Sequence, residues 1–294
     1  MPNTGDILVS SAFFLFEITD MLLNYVKLSQ RPRVFRKLTG LSLQEFARIL
    51  DLVSDSFTKA FPKIGRLRKV ATHEDRLILI LLYYRSYVTH EFIGYFVGLD
   101  DANVCRLFAR IEPLIAKHIH IKKDRSLTED VVGALLTDAT EQPIQRPKNK
   151  KARKMYYSGK KKRHTQKTEI TITTQSKIIN ISRTHPGSRH DITIRRQGNP
   201  LPSQAKKYGD LGYQGWQKES PHVYLPHKKP KHGKLTAQQK RENKEHSQIR
   251  ILVEHKFAQL KKFRILGEVY RNFRTKHHLR FNIMAGIVNM QAGF

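Results

Sequence analysis

Two aspartates in the second half of the sequence stand where two buried strands are predicted to end. Asp138 follows the apolar run Val131 to Leu136 and one threonine, and Asp210 ends the stretch AKKYGD. Because active-site side chains of α/β proteins collect at strand ends, we expect the two carboxylates to converge at one edge of a sheet. Carboxylate oxygens suit Mg²⁺ or Mn²⁺, and a pair of such ions can activate an attacking oxygen and stabilise a leaving one at a phosphate.

A third acidic ligand must come from elsewhere in this half of the chain. A long helix is predicted from about His246 to Phe263, and Glu254 lies beside its apolar stripe. Arg250 and Lys261 lie at the edge of the same stripe. Glu245 would point into the stripe, so we expect it before the helix or in a frayed first turn. Glu254 is therefore the better candidate. The stripe consists of Ile249, Leu252, Val253, Phe257 and Leu260.

Positive charge is concentrated in the same half of the chain. Residues 1–130 contain 19 Lys and Arg against 15 Asp and Glu, whereas residues 131–294 contain 35 against 10, which is +25 of the total charge of +29. A surface so positive repels itself and favours a polyanionic partner, and we expect double-stranded DNA. A ribosome-bound protein and a merely solubilising face are the alternatives.

The densest positive segment runs from Arg146 to His164 and contains ten Lys and Arg and no acid. One interpretation is a disordered, solvated loop. We favour a hairpin that follows DNA phosphates, with Tyr156 and Tyr157 available to stack on an exposed base. The cations that we expect to contact phosphates there are Lys160, Lys161, Lys162 and Arg163.

The stretch THEFIGYFVGLDDANVCRLFARI in the first half is typical of a helix-turn-helix. Gly94 would let two helices approach, and Gly98 would permit the turn before a second helix from about Asp101 to Arg110. In a recognition helix the exposed side chains meet base edges and phosphates. An ordinary helical hairpin allows the same spacings. The inward side chains would be Val104 and Leu107, and the exposed, DNA-binding ones Asn103, Arg106 and Arg110.

The coarse pattern changes from helices to strands near residue 130. Capping boxes are predicted at Ser42 with Glu45 and at Thr72 with Asp75, each ahead of an apolar run. We therefore predict an α+β protein, with a helical N-terminal helix-turn-helix domain over residues 1–130 and a mixed β-sheet domain covered by helices over residues 131–294. The predicted strands are Ala134 to Asp138, Lys167 to Thr174, Lys177 to Ser182, one that ends at Asp210, and His222 to Pro226, with a short helix from near His190.

The motif HPGSRHD offers a rival metal site in His185, His190 and Asp191. The spacing is not one that closes a zinc site, and Pro-Gly-Ser is typical of a turn that leads into a helix cap. We expect His190 and Asp191 to order a turn near the active site.

Five motifs, TDATEQPIQRP, YYSGKKKRHT, HPGSRHD, YGDLGYQG and RILVEHKFAQLK, together resemble the DDE transposases of bacterial insertion sequences, in the insertion-sequence-5 group. They follow the family's order, and the resemblance covers about residues 40–290. It implies an RNase H-like catalytic domain with Asp138, Asp210 and Glu254 as a metal-binding triad for two Mg²⁺ ions, or Mn²⁺. The implied reaction is cleavage at the ends of the element, followed by attack of the freed 3′-hydroxyl on target DNA.

The family's helix signature is a tyrosine, an arginine, a glutamate and a lysine, and Arg250, Glu254 and Lys261 match its last three positions. Ser247 stands at the tyrosine position. The resemblance implies that Arg250 and Lys261 bind DNA and that the chain is a homodimer or higher oligomer on DNA. The 44 positions from Asp210 to Glu254 leave no room for the large β domain inserted in some relatives. The alternative function is a catalytically silent DNA-binding regulator derived from a transposase.

The cysteine content and the apolar tracts indicate the cellular compartment of the protein. The single cysteine, Cys105, rules out an internal disulfide and fits a reducing cytoplasm. The resemblance implies a bacterial protein associated with the nucleoid. The apolar tract from Ile7 to Leu28 contains two acids and has no basic flank, so we expect a packed amphipathic helix and no membrane span.

Overall fold

The computed structural model describes residues 23–62, 69–121 and 133–294. The chain divides into two compact units, the first up to Ile119 with Phe263–Ile265, and the second from His120 to Lys262 with Leu266–Phe294. Most of the predicted N-terminal amphipathic helix and the predicted domain boundary at residue 130 lie outside the described residues. None of the helices described has the length and apolar character needed to cross a bilayer.

The part of the first unit that is described before Ile119 contains six helices, and both predicted capping positions, Ser42 and Thr72, begin helices. Ser42 and Glu45 form the predicted reciprocal capping box. Thr72 caps the backbone N–H of Asp75 as predicted, but the Asp75 carboxylate accepts from the Thr72 hydroxyl and from the backbone N–H of Tyr25, so the second box is only half formed. The helices are α1 (Tyr25–Ser29), α2 (Pro32–Thr39), α3 (Leu43–Ala60), α4 (His73–Ser86), α5 (His90–Val97) and α6 (Asp101–His118).

The turn between α5 and α6 depends on two glycines. Gly98 adopts a left-handed conformation, φ +65°, which is strained for other residues. Gly94 leaves room for the turn itself, because a Cβ there would lie 2.2 Å from the carbonyl oxygen of Leu99. Asp100 caps α6 by accepting from the backbone N–H of Asn103. The helix runs past the predicted end at residue 110, because the buried spacing continues through Ile111 and Ile115.

The second unit contains a mixed sheet, as expected for an α+β domain. The main path of the sheet is β2-β3-β1-β6-β7, and β4 and β5 also pair with β3. β1 is antiparallel to β3 and parallel to β6. The strands are β1 (Ala134–Pro143), β2 (Tyr157–Ser158), β3 (Arg163–Thr173), β4 (Ile178–Ile181), β5 (His185–Pro186), β6 (Lys206–Tyr208) and β7 (Val223–Tyr224).

Helices cover both faces of this sheet. Asp138 and Gln142 share one face of β1, where Asp138 meets Arg250 and Gln142 meets His277. On the other face, Glu169 of β3 pairs with Arg195. The helices after β1 are α7 (Lys150–Tyr156), α8 (Asp191–Gln197), α9 (Ala237–Lys261), α10 (Arg264–Gly267) and α11 (His277–Gln291), of which α7, α8, α9 and α11 contact the sheet.

Two predicted boundaries are wrong, and both concern the candidate site. β1 continues to Pro143, because polar residues of its second half pair in register with β3, so Asp138 lies within the strand and not at its end. The long helix starts at Ala237, where Thr236 and Gln239 form a capping box, so Glu245 lies inside the helix with its side chain exposed.

We predict that Gly94→Ala destabilises the helix-turn-helix, because the added methyl group overlaps a backbone carbonyl that cannot rotate away. The free energy of unfolding should fall by about 1–3 kcal/mol, as for other overpacked sites. Urea denaturation followed by circular dichroism measures it. Gly159→Ala is the matched control, since a Cβ there meets no atom within 4 Å. Equal midpoints for the two variants would contradict the packing argument.

Candidate active site

One arginine joins the two predicted catalytic aspartates. Arg250 Nη2 lies 3.2 Å from Asp138 Oδ2, and its Nη1 lies 3.4 Å from Asp210 Oδ1. Asp138 comes from the central strand β1, and Asp210 caps the 3₁₀ turn Leu211–Tyr213 directly after β6. Because β1 and β6 are adjacent and parallel, the fold brings together two carboxylates that are 72 positions apart in the sequence.

The Asp138 carboxylate is in an environment that disfavours its charge. Burial raises its pKa, and the neighbouring Asp210 and Asp191 carboxylates raise it further, against the opposing effects of Arg250 and the Ala139 backbone N–H. The Ala139 N–H donates to Asp138 Oδ1 over 2.8 Å. A buried carboxylate beside others of the same sign needs nearby positive charge to stay ionised. Arg250 supplies part of this charge.

Glu254, the third predicted ligand, is not gathered with the aspartates. It lies one turn after Arg250 on α9, at an angular offset of about 40° on the helix, and its side chain is exposed. Among the described residues, no three or more His, Cys, Asp or Glu side chains come together as a metal-ligand cluster. The two aspartates suit a hard divalent cation, because their donor atoms are carboxylate oxygens and because a cation would offset the unfavourable burial of the Asp138 charge. The structure thus brings together two of the three side chains that are predicted as ligands.

Further positive charge lies beside the aspartates. The pKa of Lys261, at the end of α9, is lowered by partial burial and by the Lys161 ammonium, and raised by the Asp138 carboxylate. Lys161 belongs to the exposed turn between β2 and β3, where its backbone N–H donates to Ser158 Oγ over 3.2 Å. The predicted DNA-binding groups of α9 and of the basic run therefore lie within electrostatic range of each other and of Asp138.

The basic run is ordered in the structure, unlike the disordered-loop alternative. Its first half forms α7, and its second half forms the predicted hairpin, in which Tyr157 pairs with His164 and Ser158 with Arg163. The cations at and beside the hairpin turn are exposed and make no ion pair within the described part of the chain: Lys160, Lys161, Lys162 and Arg163.

The loop that carries Asp210 rests on a carboxylate that the sequence analysis assigned only to a turn. Asp191 Oδ2 fills the space beside Gly212, where a Cβ would lie 2.4 Å from it. Lys167 Nζ lies 2.9 Å from Asp191 Oδ1 and 3.5 Å from Glu141 Oε1. Lys167 is a residue that the sequence analysis missed, since an alternating strand pattern does not show where a lysine ammonium goes. The interpretation of HPGSRHD as a structured turn fits these contacts.

A buried ion pair between α8 and β3 lies against the same loop. Arg195 Nη1 donates to Glu169 Oε1 over 2.7 Å, and the Arg195 guanidinium lies 6.0 Å from the Trp216 ring centroid. Burial raises the pKa of Glu169 to about 7, against the opposing effect of Arg195. Arg196, the next residue of α8, makes a two-nitrogen contact with Glu219. The helix α8 therefore contacts the Asp210 loop at three successive points.

The three predicted DNA-binding side chains of α6 differ in their surroundings. Asn103 and Arg106 are exposed, and the Arg106 guanidinium donates to Asn103 Oδ1. Arg110 is also exposed, but it donates to the carbonyl of Ala60 and lies 4.6 Å from the Phe61 ring centroid. Arg110 therefore has a structural role at the end of α3, which leaves Asn103 and Arg106 as the more available pair.

Two sequence families match the chain. One is described as DDE superfamily endonuclease and matches residues 137–289, and the other is described as helix-turn-helix of DDE superfamily endonuclease and matches residues 68–120. The first match contains Asp138, Asp210 and Glu254, and the second contains α5 and α6. No solved structure matches the chain significantly.

Two curated proteins are similar over most of their length. A protein named as a probable transposase for insertion sequence element IS702, from Microchaete diplosiphon, is 34% identical over an alignment of 264 positions that covers 88% of this chain and 94% of the relative. A protein named as a putative transposase for insertion sequence element IS112, from Streptomyces albus G, is 23% identical over 89% of this chain and 95% of the relative. The chain therefore belongs to the DDE transposases of insertion sequences.

Proposed function

We propose that this protein binds the ends of its own insertion sequence, cleaves them, and joins the freed 3′-hydroxyl ends to target DNA by two-metal-ion phosphoryl transfer. The observation that carries the proposal is the meeting of Asp138 and Asp210 at Arg250 in a chain of the DDE family. The +25 charge of residues 131–294 supports DNA as the substrate.

Asp138 and Asp210 would hold the divalent cations, with Glu254 as the third ligand. When bound, a pair of Mg²⁺ ions supplies activation of the attacking oxygen and stabilisation of the leaving one. To act as the third ligand, Glu254 would have to move its side chain towards Asp138 and Asp210. Its exposed position on α9 leaves this side chain unhindered by the core. This approach would couple completion of the site to binding of metal and DNA.

Arg250 and Lys261 would orient the phosphate that is cut. Arg250 already lies on both carboxylates, where its charge keeps two like-charged groups together. An arginine fork is suited to a phosphate as well as to a carboxylate. With cations on the carboxylates, Arg250 would turn its guanidinium to the phosphate, and Lys261 would add charge from the same side of α9.

The helix-turn-helix would select the DNA. The first turns of α6 would enter the major groove, where Asn103 and Arg106 suit base edges. Arg110, held against Phe61, would approach the phosphate backbone. Recognition would then reside in the first unit and chemistry in the second.

We expect Asp138→Asn, Asp210→Asn and Glu254→Gln each to slow metal-dependent cleavage of the element's ends by about 100-fold or more, the loss typical when one stabiliser of transition-state charge is removed. DNA affinity should stay near that of the wild type, since none of the three side chains belongs to the apolar core. Gel assays on a duplex of the DNA that flanks the coding region measure both. Titration calorimetry with Mn²⁺ should show weakened binding in each variant.

Glu245→Gln is the matched control, because it removes an exposed acid from the same helix. It should leave cleavage and Mn²⁺ affinity unchanged. Wild-type cleavage by one of the three variants would remove that residue from the triad. A wild-type protein that binds the ends in the presence of Mg²⁺ and leaves them intact would favour the silent regulator.

Neutralising the hairpin turn should change the salt dependence of DNA binding. Replacing Lys160, Lys161, Lys162 and Arg163 by Gln should reduce the slope of log affinity against log salt concentration by about 0.9 for each phosphate that the variant no longer neutralises. Fluorescence anisotropy with a labelled duplex measures the slope. Four lysines in another exposed loop give a control of equal charge, and their replacement by Gln should change the slope less: Lys228, Lys229, Lys231 and Lys234. Equal slopes in the two variants would mean that the hairpin turn contributes only general electrostatic attraction and contacts no particular phosphates.

Replacing Arg106 should separate recognition from general binding. If Arg106 contacts a base, Arg106→Ala should weaken binding to the element's own end by about 1–3 kcal/mol, with little loss on unrelated DNA. Lys117→Ala, at an exposed site in the last turn of α6, is the control. Affinities for both DNAs at one salt concentration decide the matter. An equal loss on both would make Arg106 a phosphate contact, and no loss would reduce the motif to a helical hairpin.

A further inference from the structure

Phe273 is the most exposed large apolar side chain among the described residues, with 83% of its surface accessible. Single exposed apolar residues are common on protein surfaces, so exposure alone does not mark a site. Phe273 is distinguished by the rigidity of its loop and by the side chains next to it.

The loop that carries Phe273 is anchored on both sides. Before it, the backbone N–H of Tyr270 donates to the carbonyl of Pro143 at the end of β1 over 2.8 Å, and Tyr270 is only 2% exposed. After it, the Phe273 carbonyl accepts from the backbone N–H of Lys276 over 3.0 Å, and the buried His277 ring packs edge-on against Tyr270 at 5.0 Å. The fold therefore holds the Phe273 ring out in solvent on a short, fixed segment.

Phe273 adjoins the basic run through the next residue. The Arg274 guanidinium lies 4.6 Å from the ring centroid of Tyr156, the last residue of α7. Tyr157 follows, 45% exposed, with its ring edge-on to His164 at 5.6 Å. We call Tyr156, Tyr157 and Phe273 with Arg274 the aromatic patch. It joins two segments that are more than 100 positions apart in the sequence.

The sheet connects the aromatic patch with the candidate active site, since Tyr157 pairs with His164 of β3 and β3 pairs with β1, which carries Asp138. The hairpin that starts at Tyr157 turns through Lys161, whose ammonium lowers the pKa of Lys261, and Asp138 raises the pKa of the same lysine. Cations therefore lead from the aspartates along the hairpin to the aromatic rings. A nucleic-acid strand on this path would find phosphate contacts all the way.

The combination of exposed rings and cations selects the form of nucleic acid. Bases inside a duplex are stacked on each other and give a protruding ring a face only at the cost of unstacking a step, whereas unpaired bases stack on aromatic side chains at about 1–3 kcal/mol per base. Positive charge around the rings disfavours a lipid tail or a basic protein surface. Rings of this exposure within a cationic surface are typical of single-strand binding sites.

We propose that the aromatic patch binds unpaired nucleotides of the DNA strand that leads away from the candidate active site, with Phe273 as the principal stacking residue. The proposal rests on the proposed function only in taking DNA as the ligand. It adds that the strand near the cut is unpaired when bound.

Phe273→Ala in the full-length protein tests the proposal. The probes are a fluorescein-labelled oligothymidylate of about 20 nucleotides, longer than the site sizes of about 4–16 nucleotides of single-strand binding folds, and a blunt duplex of equal length. The variant should lose about 5- to 100-fold in affinity for the single strand, and its affinity for the duplex, which depends on phosphate contacts, should stay within about twofold. Phe273→Trp should keep or improve single-strand binding.

Phe294→Ala is the matched control. Phe294 is 41% exposed and lies 5.8 Å from the Lys177 ammonium, so it has the same ring and a neighbouring cation. Lys177 follows the end of β3 that is opposite to His164, far from the aromatic patch. This variant should bind both probes as the wild type does. Thermal unfolding of all variants should coincide, because the replaced rings lie on the surface.

The outcomes separate this proposal from the proposed function. A Phe273→Ala protein that matches the wild type on both probes, or that loses equally on both, would overturn the aromatic site alone. A wild-type protein that binds neither probe would overturn DNA binding and with it the proposed function. Ultraviolet cross-linking of an oligonucleotide with 5-iodouracil, followed by peptide mapping, should place the adduct on Phe273 or Tyr157, and an adduct confined to other segments would also overturn the aromatic site.

Discussion

The second unit depends on the contact of one guanidinium with two carboxylates. Asp138 loses much of its hydration inside the sheet, and Asp210 brings a second negative charge close to it. Without Arg250 the two groups would repel, and the Ala139 backbone N–H and the Lys261 ammonium would remain to stabilise the Asp138 charge. The rest of the unit can be understood from this contact, since the parallel pairing of β1 with β6 places the aspartates and the long helix α9 places the arginine.

Two layers of support on opposite faces of the sheet keep these parts in position. On the face of Asp138, α9 provides Arg250, and α11 fixes the end of β1 through His277 and Gln142. On the other face, α8 contacts the Asp210 loop through Asp191 at Gly212 and through the Arg196–Glu219 pair, and Arg195 pairs with Glu169 of β3. A larger residue at position 212 would push the Asp191 carboxylate away from Lys167. The acid pair is therefore positioned from both sides of the sheet.

Hydrophobic periodicity and helix caps predicted much of this arrangement, whereas features that depend on contacts with distant parts of the chain could not be predicted from the sequence. The α+β class, the capping box at Ser42 and the turn at Gly98 were predictable because each depends on a few adjacent residues. The length of β1 was not, because its polar half is a strand only through pairing with β3. The start of α9 was missed because its first turns are polar all round and lack an apolar stripe.

The same limit applies to the candidate site. Helical spacing placed Arg250 beside Glu254, but only the folded chain shows that its guanidinium contacts Asp138 and Asp210. Lys167 and Phe273 carried no sequence signal, since the role of each is set by neighbours far away in the chain.

β1 links the candidate active site with the aromatic patch, because Asp138 lies within β1 and the loop of Phe273 is hydrogen-bonded to its last residue, Pro143. The five strand positions from Asp138 to Pro143 span about 17 Å. From Asp138 to Pro143, β1 is hydrogen-bonded to β3 in continuous register, so it would hold the cut and the stacked base a fixed distance apart whatever the DNA sequence.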